Sequence, residues 1–219
     1  MKRVLLFLSY FISLTVFASV GIANAAAESQ PAAETNSEPA AVVEKVTKDL
    51  LDLVKTKAGL LKTNPDQYFA DVRGLLVGVV DFEFIAKNVM GRSHWSAVSP
   101  EEQQRFVNVF TDSLVRTYGK GMANFADLDV EVASSKQNDK SPDIYYVVQS
   151  VKTEKGKSEI VYTMRKEAKG WMLKNVVLDG VNLGKTFQSQ FNQAVKDNGG
   201  NVSKAIANWS AEDAKKAST

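Results

Sequence analysis

The chain contains no cysteine and a single histidine, His94, among its 219 residues. The absence of cysteine excludes disulfides and thiolate chemistry, so packing alone must stabilise the fold. No pair of histidine or cysteine residues has the spacing of a metal site. A Ser-His-acid triad would have to use His94, and nothing near it resembles a nucleophile turn. Because a lone histidine beside Trp95 is more often structural, the sequence favours neither metal nor hydrolytic chemistry.

An excess of positive charge is also missing once the first residues are set aside. The sequence has 27 Lys and Arg against 25 Asp and Glu, and two of the basic residues, Lys2 and Arg3, precede an uncharged apolar run. Without them 25 basic residues balance 25 acidic ones, which leaves no footprint for nucleic acid. A phosphate-binding loop is not indicated either, because Gly119-Lys120-Gly121 falls inside a predicted helix.

The apolar run itself is typical of a secretory signal peptide. It extends from Val4 to Val20 and is followed by Ala23-Asn24-Ala25, which has small residues where a signal peptidase cleaves. We therefore expect an exported protein that is cleaved near Ala25. The expected organisation is a signal peptide over 1–25, a flexible leader over 26–38, a single domain over 39–210 and a frayed tail over 211–219.

The clearest periodic pattern predicts a long amphipathic helix from Ser99 to Phe125. Ser99 is a suitable N-cap, Pro100 suits the first helical position, and Glu102 completes a capping box. Apolar side chains then recur every three or four residues in one stripe: Phe106, Phe110, Leu114, Tyr118, Met122 and Phe125. Such a stripe must be covered either by protein or by an apolar ligand.

The rest of the chain predicts helices on either side of a sheet in sequence order. The predicted helices cover Pro39–Leu61, a segment from Asn64 through Leu76, a segment from Asp81 to about Gly91, a segment around Phe187–Val195 and one around Val202–Trp209. A period of two predicts strands over Leu128–Ser134, Ile144–Thr153, Ser158–Lys166 and Trp171–Val181. This order predicts an α+β fold, with an antiparallel four-stranded sheet meander and several helices packed on one face.

The second and third strands supply a candidate binding surface. Pairing Tyr146 with Met164 and Val148 with Tyr162 would place six side chains opposite the helical stripe: Ile144, Tyr146, Val148, Ile160, Tyr162 and Met164. The two surfaces could form an ordinary filled core or could enclose an apolar cavity, and periodicity does not separate these interpretations. The carboxylates of Asp81 and Glu83 could also perform acid/base catalysis, although helix capping explains Asp81 as well.

Two groups of motifs resemble a known family. The first group consists of Met90-Gly91-Arg92-Ser93-His94-Trp95, followed by Ser99–Phe106 and Phe110. The second group consists of Asp179-Gly180-Val181-Asn182-Leu183 and Phe187-Gln188-Ser189-Gln190-Phe191. Together, over about residues 40–210, they resemble the MlaC/Ttg2D family. These proteins are the periplasmic phospholipid-binding components of the Mla, or toluene-tolerance Ttg2, transport system.

The resemblance implies a carrier that shuttles glycerophospholipids between the outer and inner membranes and maintains outer-membrane lipid asymmetry. Its acyl chains would lie in an apolar cavity between sheet and helices. The implied partners are phospholipid, an outer-membrane lipoprotein–porin complex and an inner-membrane ABC transporter with an MCE-domain subunit. Bound lipid would be cargo, and no cofactor, metal, nucleic acid or enzyme activity is implied.

With the strand pattern, this family assignment gives a predicted set of lipid-binding residues: Phe84, Phe106, Phe110, Leu114, Tyr118, Ile144, Tyr146, Val148, Ile160, Tyr162 and Met164. Two alternatives stay open. One is a small-molecule enzyme on a cone-shaped α+β fold that uses Asp81 or Glu83, and the other is a ligand-free periplasmic adaptor.

Overall fold

The computed structural model describes residues 38–122, 129–153 and 156–209. The helices are α1 Glu38–Lys57, α2 Leu60–Thr63, α3 Pro65–Val77, α4 Phe82–Met90, α5 Arg92–Ala97, α6 Pro100–Met122, α7 Leu183–Asp197 and α8 Val202–Ala207. The strands are β1 Asp129–Asn138, β2 Ser141–Thr153, β3 Gly156–Glu167, β4 Gly170–Leu178 and β5 Val181–Asn182. The predicted signal peptide, the leader up to residue 37, Phe125 and the predicted tail lie outside the described residues. Among the helices described here, none combines the length and hydropathy needed to cross a membrane.

The predicted helix starts are confirmed by their caps. At the start of α6 the Glu102 N–H donates to Ser99 Oγ, and the Ser99 N–H donates back to a Glu102 carboxylate oxygen, both at 3.3 Å. The Asn64 side chain caps α3 and the Asp81 side chain caps α4 in the same manner. Each cap satisfies an N–H group that the helix itself leaves unpaired.

Two helical segments differ from the prediction. The first helix ends at Lys57 instead of continuing to Leu61, because the chain turns at Ala58 and Gly59 before α2 begins. The short helix α5 was not predicted at all. It follows directly after Gly91, whose φ of 78° ends α4, and six residues are too few to show a helical period.

The sheet has five strands, not the four predicted, in the order β1-β2-β3-β4-β5 with every neighbouring pair antiparallel. The predicted last strand ran on to Val181, but the chain reverses at Asp179 and Gly180, whose φ values are 46° and 81°. Positive φ at both central residues is the requirement of a type I′ hairpin turn. Leu178 therefore pairs with Val181, and a two-residue strand forms.

The predicted register between β2 and β3 is wrong by one residue. Tyr146 pairs with Thr163 and Val148 with Val161, whereas Tyr145 faces Met164 and Val147 faces Tyr162. Because side chains alternate along a strand, this shift moves Ile144, Tyr146 and Val148 to the opposite face from Ile160, Tyr162 and Met164. The side chains of β2 are apolar at consecutive positions from Ile144 to Val148, so alternation could not select a face. The register follows instead from the tight hairpin that pairs Thr153 with Gly156.

The helices pack partly on each other and partly on the sheet. Helix α6 packs on α3, α4 and α8, while Ala40 and Val43 of α1 pack on Val147 and Met164 of the sheet. The segment before α4 covers the edge of β4 that does not pair with β3. There the Leu173 N–H donates to the Val79 carbonyl, and the Asp81 N–H donates to the Leu173 carbonyl. Helices α4 and α7 also contact this strand.

Candidate functional site

We call the face of the sheet that α1 covers the inner face. Its members follow from the pairing of β2, β3 and β4: Tyr145, Val147, Gln149, Val151, Ser158, Ile160, Tyr162, Met164, Trp171, Leu173, Val176 and Leu178. The opposite, outer face carries Ile144, Tyr146 and Val148. Three residues predicted to bind lipid therefore do not share a surface with the other strand residues of that set.

One half of the inner face is closed by α1. Val147 and Met164 are fully buried under Ala40 and Val43. The start of α1 is held in place by Glu38, whose carboxylate accepts from Trp171 Nε1 at 2.9 Å and from Lys166 Nζ at 2.7 Å. This half is an ordinary protein core. Its residues are covered by protein alone.

The other half of the inner face is only partly covered on β3 and β4, and we call this part the open half. The neighbouring Gln149, Val151 and Ser158 are buried. Ile160 pairs with Leu178 and Tyr162 pairs with Val176, and none of the four is buried. Leu178 is 38% exposed. Burial raises the pKa of Tyr162 to about 12, although part of this side chain stays accessible. The hydroxyl end of Tyr162 is the enclosed part, because it bonds the buried Gln149.

Helix α6 shows the same division along its apolar stripe. Phe106 and Phe110 are fully buried against α7 and α8, with Phe106 4.7 Å from Phe191 and Phe110 5.8 Å from Phe187 between ring centroids. Leu114 packs against two clusters of buried side chains, one that contains Phe106 and Phe110 and a second that contains Tyr68 and Val115. Protein thus covers Phe106 and Phe110 completely, which is the filled-core interpretation, and Leu114 only in part.

Tyr118, farther along the same stripe, is not covered in this way. Tyr118 is 45% exposed. Partial burial nevertheless raises the pKa of its phenol. Its ring packs edge-on against Phe187, with 6.5 Å between the ring centroids. The C-terminal half of α6 therefore keeps an apolar surface that the protein only partly covers.

A buried polar chain lies between the closed and the open halves. Gln149 is 2% exposed, and its Nε2 donates to Thr47 Oγ1 of α1 at 2.8 Å. The Tyr162 hydroxyl donates to Gln149 Oε1, also at 2.8 Å. These bonds connect α1 to β2 and β3 within otherwise apolar surroundings, and every side-chain amide atom of Gln149 has a partner.

The carboxylate proposed for acid/base work is already engaged. Asp81 accepts from the Phe84 N–H at 3.0 Å and from Lys174 Nζ at 2.5 Å, and Lys174 also bonds Glu167. Burial would raise the pKa of Asp81, but the bonds from Lys174 and Phe84 outweigh it and the pKa is lowered. Glu83 is exposed on α4. The pair does not converge on a common point.

Phe84 lies away from the inner face. It is exposed on α4, and Lys174 Nζ lies 4.7 Å from its ring centroid. A pocket of about 280 Å³ beside it has Asn88, Asn182 and Lys185 in its wall. This is a polar recess between α4, α7 and β4, separate from the open apolar surface.

The motif around His94 has a structural position. The imidazole packs edge-on against Phe191 at 6.1 Å, and the Trp95 carbonyl accepts from Gln103 Nε2 at 2.8 Å. These contacts connect α5 with α6 and α7. In the part of the chain that the structure describes, no group of His, Asp and Glu side chains is arranged to hold a metal ion.

Of the predicted set, Ile160 and Tyr162 lie on the open half of the inner face, Met164 is buried in the closed half, and Leu114 and Tyr118 are partly uncovered on α6. Prediction missed Val176 and Leu178 at the end of β4. Their sequence, Val176-Val177-Leu178, is apolar at both parities, so only the pairing with β3 identifies which two face inward. The apolar residues at the end of β4 are visible in the sequence, but the face of the sheet on which each lies cannot be predicted without the register.

Comparison with known proteins adds three findings. A family model described as MlaC protein matches residues 44–211. The toluene tolerance protein ttg2D of Pseudomonas putida is 31% identical over 178 residues, which cover 81% of this chain and 82% of that protein. A phospholipid-binding protein from Ralstonia solanacearum, solved in complex with a phospholipid, has a TM-score of 0.69 and 24% identity, and the match covers 78% of this chain and 94% of that one. This last similarity is one of fold.

Proposed function

Since the chain belongs to the MlaC protein family, we propose that it is a carrier that binds a phospholipid by its acyl chains. The chains lie on the open half of the inner face, between Ile160, Tyr162, Val176 and Leu178 on the sheet and Tyr118 on α6. This amends the predicted set, since α7 and α8 cover Phe106 and Phe110, and Ile144, Tyr146 and Val148 face outward.

The observation that carries the proposal is the division of the inner face. Val147 and Met164 of the inner face are fully buried, whereas Leu178 of the same face is 38% exposed. Tyr118 on α6 is 45% exposed. These exposed side chains are apolar or aromatic. An apolar ligand that covers them removes apolar surface from water, which favours binding.

The energetics fit a carrier that performs no chemistry. Each methylene removed from water contributes about 0.8 kcal/mol, so two long acyl chains represent on the order of 20 kcal/mol of gross transfer free energy. A lipid with that transfer cost does not diffuse freely through water. A dry surface inside a protein offsets the cost without any reactive group, in accord with Asp81 being engaged by Lys174.

The proposed place of work is the periplasm, with export directed by the segment up to Ala25. There the protein would move glycerophospholipid between the two membranes and so maintain outer-membrane lipid asymmetry. Its partners would be an outer-membrane lipoprotein–porin complex and an inner-membrane ABC transporter with an MCE-domain subunit. Direction must come from differential affinity at these complexes or from the transporter, because the carrier has no energy source of its own.

Native mass spectrometry of the protein purified from a bacterial host without detergent tests the proposal. We expect the protein to carry phospholipid at a defined stoichiometry, identified by its mass after release. The protein mass in the same spectrum reports where the exported chain begins. A bare protein that also takes up no phospholipid from vesicles would instead favour the ligand-free adaptor or the enzyme.

A further inference from the structure

We propose that the hydrogen-bonded chain Thr47–Gln149–Tyr162 forms the inner end of the acyl-chain recess and thereby sets the chain length that the protein prefers. This inference rests on the proposed lipid-binding function and adds to it a residue-level basis for selecting among phospholipids. Thr47, Gln149 and Tyr162 would act as a stop, in which the Tyr162 ring meets the terminal methyl of the lipid chain.

The position of Tyr162 between the two halves supports this role. Along the inner face of β3, Ile160 precedes it in the open half and the fully buried Met164 follows it in the closed half. Successive inner-face residues on one strand are about 7 Å apart. Along the inner face of β3 the step from a half-buried to a fully buried side chain thus occurs between Tyr162 and Met164.

The contacts of Tyr162 explain why a lipid chain would end there. Its hydroxyl is bound to Gln149, and Gln149 is bound to Thr47 on α1. A chain that went deeper would have to separate α1 from the sheet and leave the buried Gln149 amide without partners. Buried polar groups without partners are strongly disfavoured, so apolar contact ends where this chain of hydrogen bonds begins.

A stop of this kind has a measurable consequence. While a lipid chain is still short of Tyr162, each added methylene is buried and should raise affinity roughly fourfold. Beyond that length added methylenes stay outside the recess and contribute nothing. Affinity plotted against chain length should therefore rise and then reach a plateau.

The experiment uses vesicles that contain an equimolar series of phosphatidylglycerols differing only in acyl-chain length, with bound lipid read by native mass spectrometry. For Tyr162→Ala we expect the plateau to move to longer chains. If the enlarged recess buries two more methylenes, the preference for that lipid over the wild-type optimum rises about fifteenfold. The matched control is Tyr146→Ala, the same substitution on the outer face, which should leave the plateau unchanged.

Tyr162→Leu removes less volume and is measured alongside, so that a folding defect in the alanine variant does not decide the result. It should shift the plateau in the same direction by a smaller amount. A purely structural role for Tyr162 would lower occupancy equally at every chain length. An unshifted plateau in both variants overturns the stop while leaving the lipid-binding proposal intact, whereas a wild-type protein that binds no member of the series overturns both.

Discussion

At the scale of single residues, Lys174 shows how the fold accommodates a buried charge. Its side chain is 6% exposed and bonds two carboxylates, Asp81 before α4 and Glu167 at the end of β3. Burial would lower the pKa of Lys174, but the bonds to Asp81 and Glu167 outweigh it and raise the pKa. The ion cluster thereby fixes the start of α4 to the edge of the sheet.

Asp81→Asn tests the contribution of this cluster, because asparagine caps a helix as well as aspartate does and only the charge is lost. We expect the free energy of unfolding to fall by about 2 kcal/mol at neutral pH. The lowered pKa of Asp81 contributes stability above the unperturbed value of 3.8 and loses it as pH falls through the folded-state pKa.

The difference between wild type and Asp81→Asn should therefore shrink on acidification, and denaturant unfolding of both proteins at neutral and acid pH measures it. A difference that stays constant across this range would show that the charge on Asp81 does not stabilise the fold.

At the scale of elements, the start of α7 approaches β4 closely. A Cβ atom at Gly184 would lie 2.7 Å from Asn175 Oδ1, which is closer than real side chains come. The N-cap of the same helix is Asn182, whose side chain accepts from the Lys185 N–H at 3.0 Å. Glycine at 184 thus allows the capped first turn to rest on the strand, and this contact places Phe187 against Tyr118.

We expect Gly184→Ala to lower the free energy of unfolding by about 1–3 kcal/mol through overpacking. Asn175→Ala should relieve part of this loss, because it removes the atom that the new methyl group meets. A double-mutant cycle of the two substitutions, measured by denaturant unfolding, reports the coupling. Strictly additive effects would show that Asn175 does not restrict the approach of α7.

The elements also show what could be predicted from sequence. Asn64, Asp81 and Ser99 mark helix starts because capping is local chemistry, and these positions are confirmed. The face of β2 could not be predicted, because Ile144 to Val148 is apolar at both parities and the register depends on the hairpin turn. The strand β5 was missed because the predicted last strand was extended through Asp179 and Gly180 to Val181, although that dipeptide is itself a turn signal.

At the scale of the whole molecule, the aromatic core is separate from the strand residues proposed to bind lipid. The aromatic cluster of Phe106, Phe110, Phe191 and Trp209 is buried among α4, α6, α7 and α8, and no strand residue belongs to it. Helix α1 closes only half of the inner face. The proposed function requires a protein that stays folded after it has delivered its lipid, and a core without strand residues meets that requirement.

The most direct test of the proposed lipid site compares substitutions of two residues that are equally exposed but lie on opposite faces of the sheet. Leu178 on the inner face and Tyr146 on the outer face are each 38% exposed, so a glutamate at either position should cost the empty fold little. A charge beside an acyl chain is strongly disfavoured. Circular dichroism confirms that both variants are folded, and native mass spectrometry then measures bound phospholipid. We predict that Leu178→Glu loses its lipid and that Tyr146→Glu keeps it, whereas equal occupancy in the two folded variants would contradict a binding site on the inner face.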